Sequence, residues 1–168
     1  MTAPSDPASS TAPAESARPA TADDLPAIVA LATDLRTHLS AERGGPLWST
    51  HDALAPPSVH QLAERLANPE LATIVGTLDG HVLAYGLAHL EPLARGNGLL
   101  GVIDELYVAE PARAVGLGET LLGALVSWCT DAHCVGIDAT ALPGDRQAKN
   151  FFEAAGFKAR RLVMHTDL

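Results

Sequence analysis

The 168-residue chain is poor in basic residues and in aromatic residues. It has 11 Lys and Arg against 20 Asp and Glu, which gives a net charge of −9. Such a surface repels the phosphate backbone of nucleic acids, so we expect no nucleic-acid partner. An acidic surface is compatible with a cationic substrate such as an amine.

Cysteines, long apolar runs and metal-binding motifs are also scarce or missing. The two cysteines, Cys129 and Cys134, are too few for a disulfide framework. No segment has about 18 consecutive apolar residues, and the first residues lack the pattern of a secretion signal. The seven histidines show neither H-x-H nor H-E-x-x-H spacing. We therefore expect a cytoplasmic protein with no membrane partner and no metal.

The chain divides into a short tail and one domain. Residues 1–16 contain almost only Ala, Pro, Ser and Thr, and we expect a disordered tail because they could bury little apolar surface. Residues 17–168 have the length of a single domain. Apolar residues at helical spacing predict a first helix after Thr21 and a shorter one after Ser58, with a Gly- and Pro-rich loop between them.

The remaining sequence predicts strands and helices of a mixed α/β fold. Two β-rich runs are joined by Asp79-Gly80, a strong hairpin signal, and "GLLGVIDELYV" is a third strand. A long helix begins at "GLGETLL", and "CVGIDATAL" follows as a strand, "DRQAKNFFEAAG" as a helix and "FKARRLVMHTDL" as a final strand. The first half of the sheet is expected to be antiparallel.

The stretch Arg113-Ala-Val-Gly-Leu-Gly118 places two glycines at the start of the long helix. Free amides and the helix dipole make a glycine-lined helix start a site for phosphate. A Walker A loop would need Gly-Lys-Ser/Thr, but Glu119 and Thr120 follow the second glycine. A dinucleotide fingerprint would need a third glycine at Leu121. The two glycines could also serve only a tight turn.

Together with the preceding "IDELYV", this stretch resembles the acetyl-CoA signature of the GNAT N-acetyltransferase superfamily. That signature is Arg/Gln-x-x-Gly-x-Gly/Ala after a strand often written "IEDLYV". Two further segments, "RPATADDLPAI" and "AKNFFEAAGF", are similar to the family's first strand and helix and to its late helix. The resemblance covers residues 17–168 and implies the GNAT fold, a mixed central sheet with an antiparallel N-terminal half and flanking helices.

The resemblance implies acetyl-CoA as the acetyl donor, without a metal. The pyrophosphate would lie on the amides around the glycines, and the pantetheine would pair with the end of the preceding strand. Ala114 departs from the family pattern, in which this position is often glycine; we expect the alanine to be tolerated and to tighten the loop. The implied cofactor-binding residues are Leu106, Val108, Arg113, Ala114, Val115, Gly116, Leu117, Gly118, Glu119 and Asn150.

Acetyl transfer to an amine needs a proton acceptor and a group that protonates the departing thiolate. Side chains alternate along the strand, so we expect Asp104 and Glu105 to point to opposite faces and not both to face the substrate. By resemblance to the family we favour Asp104 as the base, although either carboxylate could instead be solvated or paired in a structural role. The tyrosine that many relatives use as the acid is replaced by Phe152. The remaining candidates for the acid are Tyr107, Tyr85, Cys129 and water, of which Cys129 fits buried packing better.

The loop between the first two helices would border the acceptor site, and Trp48 and His51 in it are candidate substrate contacts. The predicted function is acetyl transfer from acetyl-CoA to a primary amine of a small molecule or a protein, by direct attack in a ternary complex. The alternative is a catalytically weak acyl-CoA-binding sensor or interaction module. The chain could form a homodimer.

Overall fold

A computed structural model describes residues 14–53 and 55–166 and is organised around a five-stranded sheet of order β1-β2-β3-β4-β5. The first four strands are antiparallel to their neighbours, and β5 is parallel to β4. The predicted mixed α/β class and antiparallel first half are therefore confirmed. The strands are β1 (Glu15–Pro19), β2 (Leu71–Leu78), β3 (His81–Pro92), β4 (Leu99–Val108) and β5 (Cys134–Ala139).

Within the described ranges, four helices of eight or more residues flank this sheet: α1 (Leu25–Ala41), α2 (Val59–Leu66), α3 (Leu117–Asp131) and α4 (Arg146–Ala154). The Ser58 hydroxyl caps α2 as predicted, accepting a hydrogen bond from the Gln61 amide at 3.2 Å. The predicted loop between α1 and α2 contains two short helical turns, Gly45–Leu47 and Trp48–Asp52. None of the helices in these ranges is long and apolar enough to cross a membrane.

The sheet separates two apolar cores. On one face, α1 and α2 pack against strand residues that include Val75 and Tyr85. On the other face, α3 packs against residues that include Ile74 and Ile103. Burying a large apolar side chain contributes about 1.5–3 kcal/mol, so these two cores hold the helices in place and give each face of the sheet a defined set of neighbours.

The hairpin between β2 and β3 follows the prediction from its sequence. Asp79 and Gly80 have φ values of 49° and 81°, the left-handed conformations that a two-residue type I′ turn requires. This turn places β2 and β3 side by side, and β4 continues the antiparallel meander.

The N-terminal boundary of the domain lies slightly earlier than predicted. Glu15 and Ser16, which were assigned to the tail, pair with Leu78 and Thr77 of β2. The hydroxyls of Ser16 and Thr77 are 2.8 Å apart. Residues 1–13, the rest of the predicted tail, lie outside the described residues.

The predicted final strand is wrong for the part of it that the structure describes, because residues 157–166 have no regular secondary structure. Leu162, Val163 and Met164 are consecutive and more than 80% exposed, so the segment lacks the alternation that gives a strand one buried face. Arg160 in this segment forms an ion pair with Asp138 of β5. Residues 167 and 168 lie outside the described residues.

Candidate functional site

A β-bulge at Asp104 interrupts the regular alternation of β4. Leu87 of β3 pairs with Glu105, but the next residue, Ala88, pairs with Ile103, so Asp104 is an extra residue in β4. Ile103 faces the core under α3, and the side chains of Asp104 and Glu105 both reach arginines on α1 and α2. The prediction that the two carboxylates point to opposite faces is wrong, because it assumed a strand without a bulge.

Both carboxylate oxygens of Glu105 accept a hydrogen bond from a neighbouring side chain. Its Oε1 accepts a hydrogen bond from Nη2 of Arg36 at 2.6 Å, and its Oε2 accepts one from the Tyr85 hydroxyl at 2.6 Å. The side chains of Arg36 and Glu105 are only 12% and 17% exposed. Burial and the neighbouring Glu105 carboxylate raise the pKa of Tyr85. Tyr85, one of the candidate acids, therefore stays protonated and donates its hydrogen bond to Glu105.

Asp104 has different and more open surroundings. Its Oδ1 lies 2.8 Å from Nδ1 of His89, and its Oδ2 lies 3.4 Å from Nη2 of Arg65. The side chains of Asp104 and His89 are 31% and 36% exposed. His89 could not be selected from the sequence, because its pairing with Asp104 depends on the register of β3 and β4, which the sequence does not reveal.

One edge of β4 is open beyond the bulge. β5 pairs with β4 only from Leu99 to Ile103, where β5 ends at Ala139. In the described residues, no strand covers the segment from Asp104 to Val108 on that side. Such an edge presents backbone N–H and C=O groups that an extended ligand could pair with. It contains Leu106 and Val108, the two strand residues predicted to contact the cofactor.

Helix α3 begins at an uncapped N-terminus close to the end of β4. The N-cap residue is Gly116, with a φ of 89° and no side chain to satisfy the amides of the first turn. The positive φ favours glycine here, and the carboxylate of Glu15 lies beside it, 2.7 Å from where a Cβ atom would be. Amides without partners and the helix dipole attract an anion. The first turn contains Leu117, Gly118 and Glu119.

Arg113 ties the loop before α3 to its surroundings. Its Nε donates to the carbonyl oxygen of Val108 at 3.0 Å, and its Nη1 lies 3.4 Å from Oε1 of Gln147 on α4. The guanidinium carbon lies 5.4 Å from the centre of the Tyr107 ring, within the range of a cation–π contact. Arg113 therefore fixes the position of the loop before α3 and also gives this loop a positive charge.

Gly118 has a packing role that the sequence did not reveal. A Cβ atom at this position would lie 3.2 Å from Cε2 of Phe151, so the glycine lets α4 approach the start of α3. Phe152 packs with Phe151 and Phe157 at ring-centre distances of 5.4 and 5.2 Å, and its phenyl ring has no acidic proton to donate. Asn150, next to this cluster, is exposed on α4.

Ala114 has a φ of 70°, in the left-handed region that disfavours residues with a Cβ atom. We expect Ala114→Gly to raise the free energy of unfolding by about 1 kcal/mol, because glycine adopts this conformation without strain. Urea denaturation of the wild type and the variant measures the change. Ala155, exposed and with an ordinary φ of −81°, is the matched control, and Ala155→Gly should give no gain. A loss of stability in Ala114→Gly would contradict the argument.

The structure separates the two predicted substrate contacts. Trp48 lines a cavity of about 330 Å³ together with Arg36, the residue that binds Glu105. His51 does not line this cavity; its side chain is 78% exposed and its Nδ1 lies 2.6 Å from Oδ1 of Asp52. Arg36 thus lines the cavity and also binds Glu105 of β4.

Both cysteines lie away from the bulge. Cys129 is on α3, on the opposite side of the sheet from Asp104, and is 1% exposed. Burial, helped by the neighbouring Cys134, raises the pKa of the Cys129 thiol to about 11. Cys134 starts β5 and pairs with Leu99, at the other end of β4. Among the residues that the structure describes, no group of three or more His, Cys, Asp or Glu side chains could hold a metal ion.

Comparison with known proteins identifies the fold and the family. The chain matches the model of the acetyltransferase (GNAT) family over residues 34–157. No match was found among curated proteins. A mutant of the BH1408 protein from Bacillus halodurans has a similar structure, with 21% identity, a TM-score of 0.77 and coverage of 90% of this chain and 98% of that one.

Two further solved structures share the fold. Glucosamine-6-phosphate N-acetyltransferase from Arabidopsis thaliana is 16% identical, with a TM-score of 0.67 and coverage of 92% of this chain and 98% of that one. AAC(6′)-Iy in complex with the bisubstrate analogue CoA-S-monomethyl-acetylneamine is 18% identical, with a TM-score of 0.64 and coverage of 92% and 99%. At these identities the three structures establish the fold alone.

The family match includes all of β4, the loop with Arg113 and the start of α3. These are the parts of the chain that form the bulge, the open edge and the uncapped helix start. The chain therefore belongs to the acetyltransferase (GNAT) family, which implies acetyl transfer that depends on an acyl-CoA donor.

Proposed function

We propose that this protein transfers an acetyl group from acetyl-CoA to a primary amine by direct attack in a ternary complex. One observation carries the proposal: the open edge of β4 runs from the carboxylates at the bulge to the uncapped start of α3. A single extended cofactor could pair with Asp104–Val108 and place its pyrophosphate at Gly116.

The residues around the start of α3 fit an acetyl-CoA pyrophosphate. The amides from Ala114 to Glu119 are the groups that would donate to phosphate oxygens, at a helix start whose N-cap residue is Gly116. For Glu119 this contact uses the backbone, since its carboxylate would repel the ligand. Arg113 adds positive charge, and Asn150 on α4 is a further polar contact.

The bulge supplies the groups that handle protons. Attack by the neutral amine forms a C–N bond and breaks the C–S bond of the thioester, so one proton must leave the nitrogen and one must reach the sulfur. We assign acceptance of the amine proton to Asp104 and its hydrogen-bond partner, because both carboxylate oxygens of Glu105 are already bound by Arg36 and Tyr85. Tyr107 is the candidate for the acid, since in the part of the chain that the structure describes its ring contacts the guanidinium of Arg113 and its phenol donates to no carboxylate.

Direct attack is supported by the placement of the cysteines. A covalent acetyl-enzyme would need a nucleophile beside the thioester, and thiols are the most reactive side chains for that role. Cys129 is buried on the other side of the sheet, and Cys134 lies at the far end of β4 from the bulge. Neither thiol is placed to accept the acetyl group.

The acceptor amine would enter through the cavity beside Trp48. An aromatic face and an excess of negative charge both attract a cationic amine, and the chain has a net charge of −9. Arg36 and Trp48 line this cavity, and His51 lies on the same helical turn as Trp48.

A panel of primary amines, including small polyamines and lysine-containing peptides, tests this function. We expect release of free thiol from acetyl-CoA that depends on the amine, with a matching amount of acetylated amine detected by mass spectrometry. Reactions without amine and without protein are the controls. Tight binding of acetyl-CoA without any acetylated amine would instead support the alternative, a catalytically weak acyl-CoA sensor.

A further inference from the structure

We propose that His89 accepts the proton of the attacking amine and that Asp104 is the carboxylate that orients it. This assignment rests on the proposed function, because it concerns a step of amine acetylation. It changes the role of Asp104 from the base itself to a positioning residue that acts through the imidazole.

Asp104 holds the imidazole of His89 in one orientation through a contact on one of its two ring nitrogens. Nδ1 of His89 lies 2.8 Å from Oδ1 of Asp104, while Nε2 has no hydrogen-bond partner in the described parts of the chain. A carboxylate bound to one ring nitrogen holds the proton there and leaves a lone pair on the other nitrogen. The side chain of His89 is 36% exposed.

The other contacts of Asp104 favour this division of roles. Arg65 of α2 lies 3.4 Å from Oδ2, and its Nη2 also donates to the carbonyl oxygens of Ala72 and Ala88. Nε of Arg65 is buried and has no partner within the described ranges. Asp104 is thus engaged by His89 on one oxygen and by a guanidinium on the other, so both oxygens are held and the carboxylate is fixed in position against the imidazole.

The charged side chains near His89 come from the strand and the helix that neighbour it. Asp104 faces it from β4 and Arg65 approaches Asp104 from α2. Glu105, the other carboxylate at the bulge, is paired with Arg36 of α1, and Glu91 lies two residues along β3 from His89. The imidazole therefore has one carboxylate in direct contact, which stabilises the imidazolium that forms when it takes a proton.

The bulge places this pair beside the open edge of β4. Asp104 is the first residue beyond the last β4–β5 pair, Ile103 with Ala139, and an acetyl donor that follows the edge would bring its thioester there. As the C–N bond forms, the amine proton moves to Nε2. As the C–S bond breaks, the sulfur takes a proton from Tyr107 or water, and the imidazolium returns its proton to solvent.

The test compares His89→Ala and His89→Gln with the wild type, using an amine from the panel. Both variants should lower kcat by about 10² at neutral pH and remove the acidic limb of the pH profile. The Kd of acetyl-CoA should stay unchanged in both. Added imidazole should restore part of the activity of His89→Ala, which a merely structural histidine would not allow. His81→Ala, at an exposed position on the same strand, is the control and should keep full activity.

The outcomes separate this assignment from the proposed function. If the wild type is active and His89→Gln keeps its kcat and its pH profile, the role of His89 is overturned and amine acetylation stands. Failure of imidazole to rescue a folded His89→Ala variant would also count against the assignment. If the folded wild type binds acetyl-CoA but acetylates no amine, the proposed function fails, and the role of His89 fails with it.

Discussion

Asp104→Asn is expected to lower kcat by about 10² or more and to leave the Kd of acetyl-CoA close to its wild-type value. Asparagine has no charge with which to stabilise an imidazolium, and it can present its amide to Nδ1 of His89, which would favour the wrong tautomer. The cofactor, by contrast, would be held mainly by backbone groups of β4 and α3.

Glu105→Gln is the matched comparison, since it removes the neighbouring charge on the same strand. Arg36 and Glu105 are both largely buried, so loss of the charge of Glu105 breaks a buried ion pair and should lower the free energy of unfolding by about 3 kcal/mol. The KM of the amine should rise, because Arg36 also lines the cavity. The effect on kcat should be much smaller than in Asp104→Asn.

Profiles of kcat against pH for the wild type and the two variants, together with urea unfolding of each, measure these effects. The acidic limb should disappear or move only in Asp104→Asn. A larger loss of kcat in Glu105→Gln would show that Glu105 handles the proton. Unchanged turnover in both variants would show that the proton leaves by another route.

Val115→Asp is expected to weaken acetyl-CoA binding at least tenfold, which corresponds to about 1.4 kcal/mol. Val115 is 43% exposed in the loop directly before Gly116, so a substitution there changes the charge of the loop without opening the core. A carboxylate at this position would lie near the proposed pyrophosphate, and like charges brought together in a binding site reduce affinity.

Val115→Asn controls for the change of shape, because asparagine has nearly the same size as aspartate and carries no charge. Calorimetric titration of acetyl-CoA into the wild type and both variants measures the Kd values. The difference between the aspartate and asparagine variants should shrink as the salt concentration rises. Equal affinities for the two variants at low salt would show that the pyrophosphate does not lie at this loop.

Much of the fold could be predicted because its signals are local. The Asp79-Gly80 turn and the cap at Ser58 depend on a few adjacent residues, and both are present in the structure. The start of α3 at the two glycines, with Gly116 as the N-cap and Gly118 in the first turn, is likewise a local signal. The family could be identified from the sequence for a similar reason, since its signature is one short segment around Arg113.

The parts that escaped prediction depend on how distant segments pair. The bulge at Asp104 arises from the way in which β3 and β4 pair. It turns one of the two carboxylates to the face of the sheet opposite to the predicted one. The contact between His89 and Asp104 follows from the same register. The close approach of Phe151 to Gly118 requires the packing of α4 on α3. The predicted final strand failed because propensity alone does not provide a neighbouring strand or a buried face.

Initial rates at varied concentrations of acetyl-CoA and of an accepted amine test the central claim, direct acetyl transfer in a ternary complex. The account predicts double-reciprocal lines that intersect, with one acetylated amine formed for each thiol released. Parallel lines, the pattern of a ping-pong mechanism, would show that the protein itself carries the acetyl group and would contradict the account.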